Sequence, residues 1–440
     1  MHEQQSEIEP EVTERMQRDW NDRAREDAHF YVAFGRREQD PEEFFSTGAE
    51  IVKAFEWELK RFPRGENRRA WRALEIGCGP GRLMRPMSGC FGEIHGVDVS
   101  DEMIRRAQAN LGGIPHAHAH HTSGADLAPF ADESFDFVYS YAVFQHIPSR
   151  DVVMQYMREA HRVLKPNGIF RAQINGLDKT AKEYDTWGGV RISADELKAF
   201  AAQHDMQLLA LEGTRTQYMW TTMRKRVHPT WWLGEPDGRM RIRRITNAQN
   251  SEPVSPPSGR FAAITAWVEN LPEMCDLNHL KVLVDGLEGF PCYIGPPEAD
   301  SLQQINVLLP KLPRTGLVPV EFLWNGMTLA PARSLRIIPL GPVVPLLLSV
   351  TDGINMMSGT RIVTRTVKVT LEEAANPEAF SATLSGEPLT DIDIFCADPL
   401  PPRYEINLRL PDTTPPGIHP LDMRLGRRKI GMVSVEVADD

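Results

Sequence analysis

Three glycines follow a short strand-like run in LEIGCGPGR, Leu74 to Arg82, with the spacing of a bend that can hold a small ligand. Gly77, Gly79 and Gly81 form a G-x-G-x-G pattern. Glycines at such a bend let the backbone approach a ligand closely, because they lack a Cβ and accept positive φ. The ligand could be a dinucleotide, a phosphate, or another compound.

The details of the pattern disfavour the first two. A dinucleotide-binding turn has the form G-x-G-x-x-G, whose third glycine allows close packing of helix on strand. Here the third glycine comes one residue early, and Arg82 stands where that pattern has Gly or Ala. A P-loop needs Gly-Lys-Ser/Thr after four intervening residues, which Pro80-Gly81-Arg82 does not supply. With Glu75 just before it, the bend suits a ligand without a pyrophosphate.

A carboxylate stands at the end of the next predicted strand. Asp98 of GVDVS can accept hydrogen bonds from two vicinal ribose hydroxyls. The bend and this carboxylate both fall at the carboxyl edge of the sheet, where open α/β folds bind ligands. The alternative role of Asp98 is to cap the next helix. Because Ser100 can cap it unaided, the ribose role is favoured.

Four ordered segments resemble the class I S-adenosylmethionine-dependent methyltransferases. They are EIGCGPGR, GVDVSDEMIRRA, FADESFDFVYSYAVFQHIP and EAHRVLKPNGIF, and the resemblance spans residues 15–225. MQRDWNDRARED, HFYVAFGRR and FFSTG also resemble the helical cap of one bacterial subgroup. The resemblance implies a Rossmann-like α/β sheet of seven strands whose last strands form a reversed hairpin. It also implies S-adenosyl-L-methionine as the cofactor and methyl transfer as the activity.

The resemblance assigns roles on the ribose and methionine side of the cofactor. Gly77, Gly79 and Gly81 would line the methionine moiety and the ribose, and Glu75 would orient the bend. Asp98 would hold the ribose hydroxyls.

Further assignments concern the adenine and the acceptor. The Ala125 amide and the Asp126 carboxylate would contact the adenine, although Asp126 equally suits a turn beside Gly124. Tyr141 would border the methionine part. His146 is the candidate general base, since it follows the fourth strand and titrates near neutrality. The alternative for His146 is a loop histidine that packs or caps.

Methyl transfer asks little of protein side chains. A sulfonium methyl is already a strong electrophile, so the rate depends on holding an acceptor lone pair on the axis opposite sulfur. Proximity and orientation of this kind can supply about 7 to 11 kcal/mol. We expect a small-molecule or glycan acceptor, and the sequence leaves open whether oxygen, nitrogen or carbon is methylated.

The elements that position these residues alternate between strand and helix after a helical start. Alternation of this kind predicts a mostly parallel sheet with helices on both faces, and RLMRPMSGCF is predicted to be one of those helices. The predicted domains are 1–62, a helical cap; 63–225, the methyltransferase domain; 226–258, an aromatic and basic seam with a Pro/Ser-rich linker; and 259–342 and 343–440, two β-sandwiches.

The second half of the chain repeats itself. QQINVLLPKLPRTGLVPVEF and RYEINLRLPDTTPPGIHPLDM align at a spacing of 101 residues, with Ile305 on Ile406 and Gly316 on Gly417. The shared spacing favours two tandem immunoglobulin-like domains over chance similarity. QQINVLLP and YEINLRLP resemble IPT/TIG-type modules, which implies carbohydrate binding, protein binding or self-association. Deletion of residues 250–440 is expected to leave cofactor affinity nearly unchanged.

Two other clusters suggest chemistry but have simpler explanations. His116, His118 and His120 would lie on one strand face; an exposed polar face is favoured there over a metal site, and no metal is predicted. The segment 219–245 interleaves tryptophans with arginines, and an interdomain seam is favoured over nucleobase stacking or an acceptor pocket. The residues of that segment are Trp220, Trp231, Trp232, Arg224, Lys225, Arg226, Arg239, Arg241, Arg243 and Arg244.

Composition limits the remaining possibilities. The net charge of −11 over 440 residues argues against a phosphate-backbone binder, so no nucleic-acid partner is expected. Five scattered cysteines indicate free thiols, and neither a signal peptide nor a membrane span is predicted, which favours a cytoplasmic location. The competing hypothesis is a non-catalytic cofactor-binding or assembly protein whose β domains bind protein or carbohydrate.

Overall fold

The computed structural model describes residues 10–33, 37, 39–63, 67–179, 184–227, 239–259, 261–298, 302–340, 344–353, 359–374, 376–398 and 403–438. Contacts divide the chain into two compact units, the first formed by residues 1–31 and 40–338 and the second by residues 32–39 and 339–440. Each unit has a hydrophobic core of its own.

Seven strands of the first unit form the sheet that the sequence predicts. They are β1 Arg72–Ile76, β2 Glu93–Asp98, β3 Ala117–His121, β4 Phe135–Ser140, β5 Leu164–Ile174, β6 Met206–Glu212 and β7 Met219–Lys225. Their order is β3-β2-β1-β4-β5-β7-β6. The first five strands are parallel, and β7 is antiparallel to both β5 and β6. The predicted Rossmann-like sheet and its reversed hairpin are therefore confirmed.

Helices cover both faces of this sheet. They are α1 Pro10–Ala33, α2 Pro41–Glu58, α3 Met84–Met87, α4 Asp101–Leu111, α5 Arg150–Val163 and α6 Ala194–Gln203. Neighbouring residues of β1 point to opposite faces, as strand geometry requires. Ala73 packs in the cluster that contains α2 and α4, whereas Leu74 packs in the cluster that contains α5 and α6. None of the helices in the described ranges has the length and apolar character needed to cross a bilayer.

Serine side chains fix the starts of two helices. The hydroxyl of Ser100 accepts from the amide of Met103 at 3.1 Å, so it caps α4 as expected. At α6, Ser193 and Glu196 form the predicted capping box. The helix predicted for RLMRPMSGCF is wrong in length: only α3 is helical, because the turns at Gly89 and Cys90 close with short i to i+3 hydrogen bonds.

The remainder of the first unit is a β structure, here called the first β repeat (residues 241–337). Its strands are β8 Arg241–Asn247, β9 Val254–Ser255, β10 Ala263–Glu269, β11 Leu280–Val284, β12 Leu287–Ile294, β13 Leu302–Leu308, β14 Gly316–Trp324, β15 Met327–Thr328 and β16 Arg333–Ile337. Strands β8-β10-β13-β12 pair in one layer, and β11-β14-β16-β9 pair in another. The predicted linker 226–258 needs correction, because β8 lies in it and pairs with β10.

The second unit contains the second β repeat (residues 346–437). Its strands are β17 Leu346–Asp352, β18 Arg361–Ile362, β19 Thr366–Glu372, β20 Phe380–Leu384, β21 Glu387–Leu389, β22 Ile392–Asp398, β23 Arg403–Arg409, β24 Gly417–Leu425 and β25 Arg428–Val437. They form the layers β17-β19-β23-β22 and β18-β25-β24-β20-β21. Strands β23 and β24 begin and end 101 residues after β13 and β14, which matches the repeat predicted from sequence.

Specific contacts join the first β repeat to the seven-stranded sheet. Tyr293 of β12 pairs with Ala210 of β6, and the Leu277 amide donates to the Leu208 carbonyl at 2.9 Å. A buried ion pair links Arg226, just after β7, to Asp276 of the β repeat. The segment 219–245 therefore contributes to such a seam, although Trp231 and Trp232 lie outside the described residues.

Candidate functional site

The glycine bend follows β1 and is held in a conformation that favours glycine. The φ angles of Gly77, Gly79 and Gly81 are 75°, 51° and 86°. A Cβ on Gly77 would come within 2.3 Å of a Val143 methyl group, so no larger residue fits there. Gly77 is therefore approached closely by Val143 in the loop after β4. From the sequence alone, we expected a ligand to make the close approach.

Asp98 stands at the end of β2, beside this bend. One carboxylate oxygen accepts from the Gly79 amide at 2.9 Å, and the other accepts from the Ser100 amide at 2.9 Å. Burial raises the pKa of Asp98, although these amide bonds oppose the rise. The carboxylate therefore braces the bend, and each oxygen keeps a lone pair for a further donor.

Glu75 lies under the bend, not at its surface. It is 3% exposed and accepts from the Tyr139 hydroxyl at 2.9 Å. Burial raises the pKa of Glu75 to about 8. A carboxyl that is neutral at pH 7 accepts from Tyr139 without placing a second negative charge near Asp98.

Arg82 closes the bend and carries an unused donor. Its side chain donates to the Thr47 hydroxyl at 3.2 Å and lies 5.7 Å from the ring of Tyr141. Arg82 is 6% exposed, and its Nε has no hydrogen-bond partner among the described residues. Burial lowers the pKa of its guanidinium, which Glu75 partly offsets. A buried arginine with a free N–H suits an anionic group of a ligand.

An aromatic pair stands beside Arg82. Tyr141, which follows β4, stacks on Trp220 of β7 with ring centroids 5.8 Å apart. The guanidinium of Arg171 lies over the Trp220 ring, 4.6 Å from the ring centroid. The sequence placed Trp220 in a seam, and the structure brings it to the carboxyl edge of the sheet. The signal was its position at the start of β7.

The predicted adenine residues form a tight turn after β3. Asp126 accepts from the Ser123 hydroxyl at 2.7 Å and from the Ala128 amide at 3.0 Å. The Ala125 amide donates to the same hydroxyl at 3.2 Å. Gly124 beside them has φ of 87°. The turn-forming role of Asp126 is therefore present, and a ligand contact would use its remaining lone pairs.

His146 follows β4 in a short 3-10 helix and is buried. Its Nδ1 lies 2.9 Å from the Trp187 carbonyl, and its Nε2 lies 3.2 Å from the amide nitrogen of Gln145. This arrangement places the ring proton on Nδ1 and leaves Nε2 as an acceptor. Burial lowers the pKa of His146 to about 4. The imidazole is therefore neutral at pH 7, as a base requires.

The N-terminal helix α1 lies over this edge of the sheet. The side-chain oxygen of Asn21 accepts from the Ser100 hydroxyl at 2.7 Å, two residues after Asp98. Arg23 donates to the Thr186 carbonyl at 3.1 Å. Its guanidinium lies 4.7 Å from the Trp20 ring centroid. Sequence reasoning missed the contacts to Ser100 and Thr186, since they join residues far apart in the chain. The helical period of α1 was the available signal.

The histidines of β3 have local partners. His95 of β2 meets His120 at 3.0 Å, and the Nε2 of His116 lies 3.1 Å from the Ser88 carbonyl. Burial lowers the pKa of His95 to about 4. Among the described residues, no group of three or more His, Cys, Asp or Glu side chains could hold a metal ion.

The segment that holds these residues matches a known family. Residues 74–172 match the family described as a methyltransferase domain. This range includes the bend, Asp98, the turn after β3, Tyr141 and His146. The predicted methyltransferase domain is confirmed for that segment, and with it the cofactor class, S-adenosyl-L-methionine.

Curated relatives share the same part of the chain. The ubiquinone biosynthesis O-methyltransferase of Ruegeria pomeroyi is 33% identical over 100 residues, covering 22% of this chain and 38% of that protein. The demethylmenaquinone methyltransferase of Staphylococcus aureus is 30% identical over 105 residues, covering 23% of this chain and 42% of that protein. The chain thus spans about two-fifths of the length of these relatives.

A solved structure resembles a larger part of the chain at lower identity. The phosphoethanolamine N-methyltransferase 1 of Haemonchus contortus has a TM-score of 0.38 and 11% identity, covering 51% of each chain. At that identity and TM-score, the likeness carries no conclusion about activity.

Proposed function

We propose that this chain is an S-adenosylmethionine-dependent methyltransferase that methylates a small-molecule acceptor by in-line displacement at the sulfonium methyl. The observation that carries the proposal is the bracing of the glycine bend by Asp98, through the 2.9 Å bond from the Gly79 amide. This bond places a carboxylate and a glycine-rich bend at one edge of the sheet, inside the segment that matches the methyltransferase family.

The residues present fit the cofactor. Asp98 keeps lone pairs for the ribose hydroxyls, and the positive φ angles of Gly77, Gly79 and Gly81 turn the backbone into a bend beside it. The free Nε of Arg82 suits the carboxylate of the methionine part.

Three further assignments complete the proposed cofactor site. Glu75 would hold the bend from below, and Tyr141 would border the methionine part. The Ala125 amide and the Asp126 carboxylate would contact the adenine.

His146 is the proposed base where the acceptor must lose a proton. Because its Nδ1–H donates to the Trp187 carbonyl, Nε2 is the nitrogen that would receive a proton, in place of its present bond from the Gln145 amide. Its lowered pKa keeps the imidazole unprotonated at neutral pH, though it makes the base weak. The bound cofactor supplies the electrophilic methyl group, and the chain orients the acceptor and excludes water.

The first test is calorimetric titration with S-adenosylhomocysteine. We expect micromolar binding by the full chain and at least a tenfold loss in Asp98→Ala, which removes the proposed ribose acceptor. Asp132→Ala is the matched control, because Asp132 is an exposed carboxylate paired with Arg162. Absence of binding by the unaltered chain would contradict the proposal.

The second test concerns turnover and the acceptor. The chain is incubated with methyl-labelled S-adenosylmethionine and a cell extract that is then separated by size. Label in the small-molecule fraction supports the proposal, and label in the macromolecular fraction would contradict the acceptor class. His146→Gln should lower transfer by about 10² to 10⁴-fold with unchanged cofactor affinity.

The competing proposal is a non-catalytic cofactor-binding or assembly protein. It is favoured by the two β repeats, which resemble immunoglobulin-like modules of the IPT/TIG type and whose family role would be protein or carbohydrate binding. Cofactor binding without any transfer of label to the extract would favour this alternative. A cytoplasmic location, the helical cap and the glycan acceptor stay predictions.

A further inference from the structure

A second cavity lies at the edge of the sheet opposite the glycine bend. Arg224 of β7 pairs with Ile169 and lies near the amino end of the parallel strands, whereas the bend follows their carboxyl end. The cavity has a volume of about 490 Å³, within the range of small-ligand sites. Its lining includes Lys60, Arg61, Phe62, Gln207, Leu209, Arg224, Glu273, Ile294, Glu298 and Gln303.

Arg61 lines this cavity and has a buried side-chain donor without a partner among the described residues. It is 7% exposed, and its Nε donates to the Glu58 carboxylate at 2.5 Å. Among the described residues, its Nη2 has no hydrogen-bond partner. An unpaired donor on a buried guanidinium costs free energy unless a ligand or water accepts from it.

Arg224 lies beside Arg61, and the charge of Glu273 offsets part of its own. Its Nη2 donates to the Arg61 carbonyl at 3.1 Å, and it forms no ion pair within the described part of the chain. Burial, and then the charge of Arg61, lower the pKa of Arg224 to about 10. Arg61 and Arg224 therefore line one cavity with two cationic side chains, whose charge and planar forks suit an oxyanion.

The other walls define the rest of the ligand. Phe62, Leu209 and Ile294 supply apolar surface, and Gln303 supplies an amide. Glu273 and Glu298 also line the cavity, so a ligand of high negative charge is disfavoured there. The balance suits one anionic group on a mostly apolar body.

We propose that this cavity binds a small organic anion, with its carboxylate or phosphate oxygens held by Arg61 and Arg224 and its apolar body against Phe62, Leu209 and Ile294. The site is built from three parts of the first unit: the end of α2, the β6–β7 hairpin and the first β repeat. A ligand bound there is a second ligand of the protein, separate from the cofactor and independent of the proposed methyl transfer.

The test uses two probes that share an apolar ring, sodium benzoate and phenyl phosphate, with the full chain at constant ionic strength. We expect at least one probe to bind by calorimetry and to raise the melting temperature above a sodium chloride control. Tighter benzoate binding would identify the source as a carboxylate, and tighter phenyl phosphate binding would identify it as a phosphate ester.

Variants decide whether binding occurs at this cavity. Arg224→Gln should weaken the preferred probe at least tenfold, and Arg224→Lys should weaken it less, because the charge remains but the planar fork is lost. Arg25→Gln is the matched control, since Arg25 is exposed and pairs with Asp22 on its own helix. Both cavity variants must keep wild-type affinity for S-adenosylhomocysteine, which shows that they fold.

Two results would overturn the proposal. One is the failure of both probes to bind or stabilise the chain beyond the chloride control. The other is equal probe affinity in Arg224→Gln and the unaltered chain, since the anion would then bind elsewhere. Both are binding results, so neither depends on whether the chain transfers methyl groups.

Discussion

The two β repeats share one strand pattern. They differ at the positions through which the first repeat contacts the rest of its own unit. Ile305 and Ile406, at equivalent positions of β13 and β23, are both fully buried. The first repeat belongs to the same compact unit as the seven-stranded sheet, whereas the second repeat belongs to the other unit.

The difference lies in individual side chains at equivalent positions. Tyr293 pairs across from Asn306 in the first repeat, and Asp393 pairs across from Asn407 in the second. The Tyr293 hydroxyl accepts from the Trp57 indole at 2.8 Å and lies 3.4 Å from Glu58, whereas Asp393 is exposed. The buried positions thus specify the shared β fold, while a few exposed or edge positions determine what that fold packs against.

Truncation tests this comparison with the largest expected effect. A chain ending at residue 338 keeps the whole first unit, and its affinity for S-adenosylhomocysteine should change by less than about twofold. A chain ending at residue 249 removes most of the first β repeat and exposes buried residues such as Leu208. We expect it to lose cooperative unfolding, measured by circular dichroism during heating.

This expectation revises the prediction from sequence that deletion of residues 250–440 would leave cofactor affinity nearly unchanged. Equal stability of the two truncated chains would show that the first repeat is as independent as the second. We expect the first repeat to be less independent than the second, because β12 of the first repeat pairs with β6 of the seven-stranded sheet.

Removal of the buried ion pair should have the next largest effect. Asp276→Ala leaves Arg226 buried without its carboxylate, and both side chains are only 1% exposed. The free energy of unfolding of the first unit should fall by about 3 to 5 kcal/mol, measured by urea denaturation. In the second repeat, Glu405→Ala removes a partly exposed partner of Lys368 and should cost about 0 to 1 kcal/mol. Equal costs would contradict the role of Asp276 in docking.

The pH dependence of stability should separate the two units further. The pKa of His146 is about 4 in the folded state and about 6.5 in the unfolded state. The unfolded chain therefore binds this proton first, so stability is lost as the pH falls from about 6.5 to 4. The loss from this one residue is about 3 kcal/mol at most. Glu75, whose pKa is raised to about 8, acts in the opposite direction above pH 4.5.

The variant His146→Gln isolates this contribution. Urea denaturation at pH 4.5 and pH 7 should show a smaller stability difference in the variant than in the unaltered chain. His419→Gln, in the second repeat, is the matched control for the same substitution outside the first unit. An unchanged difference in His146→Gln would mean that this histidine does not titrate with folding.

The smallest effect concerns one hydroxyl. Tyr293→Phe keeps the ring but leaves the Trp57 indole without its acceptor, which should cost about 1 kcal/mol. Asp393→Asn at the equivalent exposed position should stay within about 0.5 kcal/mol of the unaltered chain. Urea denaturation of each unit checks both values, and a larger cost for Asp393→Asn would reverse the comparison.

Much of the first sheet could be predicted from sequence because its signals are local. The run ALEIG followed by glycines locates β1 and the bend, and the buried period of neighbouring segments locates the remaining strands. Ser193 and Glu196 predicted a capping box that the structure contains. The internal spacing of 101 residues predicted matching strands in the two β repeats.

The missed features depend on contacts between distant parts of the chain. β8 lies in a polar segment, and it is a strand because β10 pairs with it. The bonds from Ser100 to Asn21 and from Tyr139 to Glu75 join different elements, so no spacing pattern reveals them. Site residues at strand ends were predictable, whereas those that hold them from neighbouring elements were not.

The pairing of β12 with β6 also affects how copies of this protein meet. A terminal strand of an open sheet offers free amide and carbonyl groups to any other chain that can extend it. Here part of that outer strand is occupied by the protein's own β repeat, through Tyr293 and Leu277. Because this pairing is intramolecular, it leaves fewer free backbone groups on β6 for a strand of another molecule. Fibrous self-association along β6 is therefore disfavoured while the first unit stays folded.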